Sequence, residues 1–420
     1  MNDISKQTTN PVSDKTKTTE PVEEKIEKTD EKKTEKDTKI DTSIDTSLDS
    51  PLDDSDVPEL PGYSDDDTET PDVSEPDDSK GHKFKLPFLS KIKKVKIHIY
   101  QTYGNDEEVT INGRVTKLKD EDQASPDDSA LRNLKNNLEL FDADPVSKVS
   151  VDIKFNGKIS KVSSDKYGLF ELKVKDFGTI NNGFNKVSIS LTEGQESKFT
   201  GENEESNIVV HSKQDSTFAV ISDIDDTIQK SDVVDKGKLL QNIFLKNYTT
   251  QKRIYGMPEL LNALDKNNDS NINGDIFYVS GSPINLSERI QNFLSYNTFP
   301  NGSIGLKKLG VGSQSDSLTH QEEYKLGKIR AILNSFPKKK FLLFGDSGEK
   351  DPEIYGQISK EFPDRIMGIY IHNVSNASQG STKFDGMVLH NDSKLAAEDL
   401  YNKGFITIDD IDKVKKAVGS

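Results

Sequence analysis

From Lys94 to about Val210, apolar and polar residues alternate in short runs. The segments VKIHIY, EVTINGRV, SKVSVDIKFNGKI, GLFELKV and KVSISL place apolar side chains at every second position, with clusters of Asn, Gly, Asp and Ser between them. A period of two belongs to strands with one buried face, so the stretch is read as a small β-sandwich-like domain. One interruption, DDSALRNLKNNLELF from Asp127 to Phe141, spaces leucines at 131, 134 and 138 behind an acidic or serine start. That spacing predicts a single amphipathic helix.

After Ile208 the rhythm changes to strand and helix in alternation. Strands are expected at 218–222, 275–279, 341–344 and 366–371, and helices near 257–265, 284–295, 322–335, 353–361 and 394–401. Repeated βα units wind into one parallel sheet, which makes this part an α/β, Rossmann-like domain. Its first strand, within FAVISDIDDTI from Phe218 to Ile228, is apolar on both faces and ends abruptly in aspartates and a threonine. Strands buried on both faces lie inside helix-covered parallel sheets, whose carboxyl ends are where ligands bind.

Composition adds a third region. The chain of 420 residues is only 32% apolar and carries a formal charge of -16, yet one segment explains both values. Residues 1–80 hold 25 Asp or Glu against 10 Lys, with Tyr63 the one aromatic residue. Such a segment cannot bury enough apolar surface to offset its ordering entropy, so it is read as a disordered acidic tail. The division is then 1–80 tail, 81–210 β-rich domain and 211–420 α/β domain. There is no cysteine, which excludes disulfides and cysteine-ligated metals and suits a cytoplasmic setting. No apolar run reaches the length of a membrane span, and the acidic balance argues against nucleic acid. Lys83 to Lys96, KFKLPFLSKIKKVK, interleaves lysine with apolar residues. It reads as an edge strand with a solvated lysine face or as a peripheral membrane surface.

The chemistry is expected at the strand ends. Asp223, Asp225 and Thr227 form D-x-D-x-T after the first strand; Ser280, Gly281 and Ser282 follow the second in IFYVSGSP; Asp346 and Asp351 stand in FGDSGEKD. A helix between the last two carries Lys325 and Lys328, one turn apart. A phosphate ester repels nucleophiles through its own negative charge, so hydrolysis needs cations, donors and a placed attacking group. These residue types supply all three: Asp223 to attack, Asp225 to pass the proton, Ser280 and a helix amino end at Pro283 to hold phosphoryl oxygens, and a lysine for fixed charge. Asp346, with Asp351 helping, suits Mg²⁺, a hard cation that prefers carboxylate oxygen. Asp351 directly precedes Pro352, where it also fits an ordinary helix start.

Four motifs in this order resemble the haloacid-dehalogenase-like superfamily of aspartate-nucleophile phosphatases. More narrowly, VISDIDDTI, FYVSGSP, YKLGKI and GDSGEKDPEIY resemble the actin-patch phosphatidate phosphatase family, and YGNDEEVTINGRV and SDKYGLFEL are similar to its N-terminal strands. The resemblance spans roughly 95–400. It implies that residues 211–420 are a haloacid-dehalogenase-like phosphatase domain in which Asp223 is the nucleophile, Asp225 the acid and base, Ser280 a phosphate-binding hydroxyl and Lys325 the charge-stabilising lysine. Thr227, Gly281 and Ser282 would contact substrate. Asp223, Asp225, Asp346 and Asp351 would form the metal site. It further implies Mg²⁺ as cofactor, phosphatidate as substrate, and cytoskeletal or endocytic proteins as partners at membranes or actin patches.

Other classes stay open on sequence: a phosphatase for a soluble phosphomonoester or phosphoprotein, and a non-catalytic membrane-trafficking adaptor. Two nearby features are set aside. The run DKNNDSNINGD from Asp265 imitates a calcium loop but has Ser270 at position six and Ile276 at position twelve, so it reads as a polar loop. His320 reads as a surface residue. Ser280 lies only 53 positions after Thr227, which leaves room for no more than a small flap within 229–255 and predicts an open site. The tail, with Ser and Thr beside its aspartates, is expected to regulate binding to anionic surfaces through charge.

Overall fold

The structure is a computed structural model that describes residues 92–118, 124–141, 144–231, 246–268, 273–308, 321–378 and 380–419. The acidic tail, the lysine run before residue 92, most of the expected flap (232–245) and His320 lie outside the described residues.

In the first half, β1 is Lys93–Ile99, β2 Tyr103–Asn105, β3 Glu108–Lys117, β4 Ser150–Phe155, β5 Lys158–Ser163, β6 Leu169–Lys175, β7 Gly183–Leu191, β8 Phe199–Thr200 and β9 Glu204–His211. They form one hydrogen-bonded path, β5-β4-β7-β9-β2-β3-β1-β8, with β6 joined to β3. Each of the five alternating segments becomes strand, as β1 and β3 to β7 of the nine strands in this half. Val95, Ile97, Val109, Ile111, Val151, Ile153, Val187 and Ile208 turn to a single shared core. Asn156 and Gly157 connect β4 to β5 with φ of 44° and 79°. Such a two-residue turn needs positive φ at both positions, which Asn-Gly tolerates, and its twist matches the flanking strands. The expected helix forms as α1 (Ala130–Phe141), started by the Ser129 hydroxyl, which accepts from Arg132 N at 3.2 Å. Its Leu131 is 72% exposed, so this part of the leucine stripe does not enter the core.

The second half is a six-stranded parallel sheet of β10 (Phe218–Ser222), β11 (Ile276–Pro283), β12 (Ser303–Lys307), β13 (Lys340–Asp346), β14 (Ile366–His372) and β15 (Val388–His390), in the order β12-β11-β10-β13-β14-β15. Its helices are α2 (Met257–Asn267), α3 (Ser287–Tyr296), α4 (Gln321–Ser335), α5 (Asp351–Glu361), α6 (Ser393–Asn402) and α7 (Ile408–Val418). Continuous apolar runs cover both faces. Val220, Tyr278 and Leu342 pack with Leu260, Leu264, Phe293, Ala397 and Val414 on one side, while Ile221, Phe277 and Leu343 pack with Ile329, Leu333 and Ile358 on the other. The chain leaves β10 toward β11 and returns on its opposite flank as β13, so the order reverses at β10. That reversal opens a crevice at the carboxyl ends. In this half, two strands and one helix lie outside the elements expected from the sequence, as do β2, β8 and β9 in the first half. Strands β12 and β15 span only five and three residues at the sheet edges, and α7 begins at a Thr407/Asp410 capping box that was legible but not used.

At the opposite, amino edge a buried polar knot joins the two sheets. Lys339, fully buried, donates to Asp275 Oδ1 at 2.6 Å and Thr217 Oγ1 at 2.7 Å and pairs with Asp215 Oδ2 at 2.8 Å. His211, the last residue of β9, lies 3.2 Å from Asp275 Oδ1. Burial alone would push the Asp215 carboxyl up, but hydrogen bonds from His211 and Lys339 hold it well below its ordinary value. Removing the ammonium would leave two carboxylates buried without a counter-charge. Lys339→Met is therefore expected to lower stability by about 3–5 kcal/mol in urea denaturation, and a loss under about 1 kcal/mol would show that the knot does not hold the sheets together.

Candidate active site

Strand β10 delivers Asp223 to the crevice, and the turn that follows is tight. Ile228 N and Gln229 N both donate to Ile224 O, at 2.9 and 3.1 Å, and Asp226 adopts φ of 56°. The turn aims Asp223 and Asp225 to one side, 1% and 6% exposed. Asp226 points away and accepts from Ser231 N at 2.9 Å. Its carbonyl lies 2.6 Å from His372 Nδ1 at the end of β14.

Around Asp225 the donors converge. Gln229 Nε2 reaches Oδ1 at 2.6 Å, and the Ser280 and Ser282 hydroxyls both reach Oδ2 at 3.1 Å. Both serines come from the end of β11. Gly281 between them gives Gln321 its place, because a Cβ there would stand 2.4 Å from Gln321 Nε2 and displace that side chain. Thr227 Oγ1 lies 3.3 Å from Asp223 Oδ2.

Lys325, on the first turns of α4 and 1% exposed, is the centre of the other half. Its Nζ lies 2.7 Å from Asp223 Oδ1, 2.7 Å from Asp351 Oδ1 and 2.9 Å from Glu349 Oε2. Lys328 lies outside this group, with its Nζ 5.6 Å from the Tyr324 ring centroid. Asp346 ends β13 and accepts from Gly348 N at 2.7 Å and Glu349 N at 2.9 Å through Oδ1, while its Oδ2 is buried without a hydrogen-bond partner. Asp351 opens α5 and spends Oδ1 on Lys325 and Oδ2 on Asp346 N, 3.3 Å away.

The arrangement thus brings together Asp223, Asp225, Thr227, Ser280, Gly281, Ser282, Lys325, Asp346 and Asp351. It also includes two side chains that sequence reading missed. Glu349 sits inside the GDSGEKD motif and was passed over for its neighbours. Gln229 carries no motif signal at all.

Asp223, Asp346 and Glu349 offer oxygen atoms that all lie within 4.8 Å of one another. Carboxylate oxygens alone, one of them an orphaned buried atom, fit a hard divalent cation. Asp225 is outside that trio, and Asp351 is committed to Lys325 and a backbone N–H. The electrostatics agree. Burial, with Asp351, Glu349 and Asp346 adding to it, pushes the Asp223 carboxyl well above its ordinary range even though Lys325 works the other way. Burial and Asp351 push Asp346 up to about 8. Burial opposes charge on Lys325, but Asp223, Asp351 and Glu349 overcome it and hold the ammonium protonated. Four carboxyl groups against one ammonium leave negative charge that a cation would neutralise.

A parallel sheet with paired aspartates at its switch point, a buried lysine and a carboxylate cluster is an arrangement suited to phosphoryl transfer. Residues 218–373 match the family model described as phosphatidate phosphatase APP1, catalytic domain. The chain is 37% identical over 174 residues to phosphatidate phosphatase APP1 of Saccharomyces cerevisiae, covering 41% of this chain and 29% of that protein. It is 27% identical over 167 residues to an uncharacterized protein of Schizosaccharomyces pombe, covering 40% and 27%. The chain therefore spans less than a third of the length of the curated relatives it matches. A carbohydrate acetylesterase from Xanthomonas citri aligns at 8% identity over 77% of this chain and 74% of that one, with a TM-score of 0.24, too low to bear on the fold.

The raised Asp346 value has a sign that can be checked. Between its ordinary value near 4 and about 8, the folded carboxyl keeps a proton that the unfolded chain has lost. Rising pH then favours unfolding. In chelator-treated protein, stability is expected to fall from pH 5 to pH 8 more steeply for the native chain than for Asp346→Asn, measured by urea midpoints. Parallel profiles would remove Asp346 as the cause.

Proposed function

We propose that the chain is a Mg²⁺-dependent phosphatidate phosphatase, hydrolysing phosphatidate to diacylglycerol and phosphate through an aspartyl-phosphate on Asp223. The observation that carries this is the coincidence of the family match at 218–373 with a buried Asp223 carboxylate 2.7 Å from Lys325 and an Asp225 held beside it by three donors.

In this reading Asp223 attacks phosphorus and forms a bond to it as the bond to the glycerol oxygen breaks. Asp225 gives that oxygen its proton, and diacylglycerol leaves. Asp225 then takes a proton from the water that attacks the aspartyl-phosphate, which releases phosphate and restores Asp223. Lys325 supplies fixed positive charge where phosphoryl oxygens gather, and it also keeps Asp223 and Asp351 in place. Ser280, with Thr227, Gly281 and Ser282, binds the phosphoryl group, the two serine hydroxyls turning from Asp225 to the incoming oxygens. Asp223, Asp346 and Glu349 would hold the cation, with Asp351 anchoring Lys325 and the start of α5. Bound there, Mg²⁺ would neutralise charge on the phosphoryl oxygens and in the cluster itself.

Among the described residues no helix is long and apolar enough to cross a membrane. A lipid substrate would then be met at a bilayer surface, with the β-rich residues 81–210 as a supporting domain for the phosphatase domain at 211–420. Peripheral location at membranes or actin patches belongs to the same proposal.

Asp223→Asn and Asp225→Asn are each expected to lower phosphate release from phosphatidate micelles by at least about a thousandfold while leaving the thermal transition in place. Full activity of the Asp223 variant would reject the covalent route. Chelation should abolish turnover and Mg²⁺ restore it, with Ca²⁺, larger and less strict in geometry, a poor substitute. Unchanged activity in excess chelator would reject the metal. Faster release from a soluble phosphomonoester than from phosphatidate would move the assignment to soluble esters.

A further inference from the structure

Asp225 must present its proton along one line, and three neighbours decide where its carboxyl points. Two of them, the Ser280 and Ser282 hydroxyls, act on the same oxygen, Oδ2. These are also the hydroxyls proposed to turn toward phosphoryl oxygens. Once they do, the terminal torsion of an aspartate, which is broad and weakly restrained, would leave the carboxyl free to swing. Gln229 alone among the described residues holds the other oxygen, with Nε2 2.6 Å from Oδ1.

Gln229 is itself fixed. It is 2% exposed, its N–H donates to Ile224 O at 3.1 Å, and its carbonyl accepts from Asp226 N at 2.7 Å. Bridges tie its backbone to Asp225 and to Arg253. Its side-chain Oε1 is buried without a partner. An orphaned buried carbonyl costs stability, and an apolar side chain of the same length would avoid that cost. The amide is thus poorly explained by packing and well explained by what its other end does.

We propose that Gln229 is a positioning residue for the reaction: its amide holds the Asp225 carboxyl on the line of the leaving oxygen while Ser280 and Ser282 engage the phosphoryl group. The role rests on the acid function proposed for Asp225, and it gives a signature that loss of packing would not. Acid assistance matters for a poor leaving group such as the glycerol oxygen of phosphatidate. It matters little for p-nitrophenolate, which departs without a proton.

The test uses the full chain with Mg²⁺ and compares kcat/KM, which reports the step that breaks the ester, for phosphatidate and for p-nitrophenyl phosphate in the same detergent micelles. Gln229→Met keeps the length and removes the donor; Gln229→Asn, too short to reach, serves if the first variant does not fold. Either is expected to lower kcat/KM for phosphatidate by about 30-fold or more and for p-nitrophenyl phosphate by less than about threefold. Equal losses on both substrates, or none on either, would overturn the positioning role. Asp225→Asn separates the two levels. If it shows the split and the Gln229 variants do not, only the positioning role fails; if it lowers both substrates alike, the acid role of Asp225 falls first.

Discussion

Four carboxyl groups share one buried pocket with a single ammonium, and much of the α/β half is arranged to make that tolerable. Asp223 and Asp346 arrive together because β10 and β13 are parallel neighbours, with Ser222 opposite Phe344 in register. Lys325 is driven into the pocket by α4, whose Leu326, Ile329 and Leu333 bury the same helix against the sheet. Gly281 leaves room for Gln321, which in turn holds Glu349 at 3.0 Å. Negative charge kept from water beside more of its own sign is costly to ionise, so the cluster is incomplete as a purely structural device. It is suited to an incoming cation and an incoming phosphoryl group.

The amino edge of the same sheet resolves a similar problem the other way. His211, Asp215 and Asp275 also lie close enough together to hold a metal. There Lys339 already occupies the centre, and its ammonium is satisfied by Asp215, Asp275 and Thr217. The knot is closed and joins the end of β9 to the starts of β11 and β13. One edge therefore locks the two sheets, and the other gathers the carboxylate cluster. Further ties at Lys96 to Glu288, 2.9 Å, and at Ile304 N to Gln101 O, 2.9 Å, keep the β-rich half against β12 and α3.

Residues 230, 246 and 251 show how the site is framed. Arg289, 3% exposed on α3, donates to Lys246 O and to Gln251 Oε1, both at 3.3 Å, while Gln251 donates to Lys230 O. It so ties the residues that flank 232–245 to the helix following Ser282. Burial lowers the Arg289 guanidinium to about 10 against the influence of Asp225. The turn after β10 and the residues on either side of 232–245 are thereby parts of one framework.

Much was decided by the sequence itself, because periodicity is a local property. Alternation specified β1 and β3 to β7, apolar runs specified β10, β11, β13 and β14, and helical spacing specified α2 to α6. The order of D-x-D-x-T, the serines, a lysine and GDSGEKD pointed to phosphoryl chemistry before any distance was known. Tertiary structure decided what depends on distance. Lys325 and Lys328 are one turn apart and chemically identical, yet only Lys325 faces the inner side of α4. Asp351 and Glu349 are both acidic, two residues apart and in contact with Lys325, yet the helix start turns the second oxygen of Asp351 to Asp346 N and leaves Glu349 in one oxygen cluster with Asp223 and Asp346. Gln229 has no motif to announce it and gains meaning only because the turn after Asp225 folds its amide back onto that carboxyl. Short edge strands such as β12 and β15 escaped for a related reason: three to five residues carry too little pattern, and neighbouring strands supply the rest.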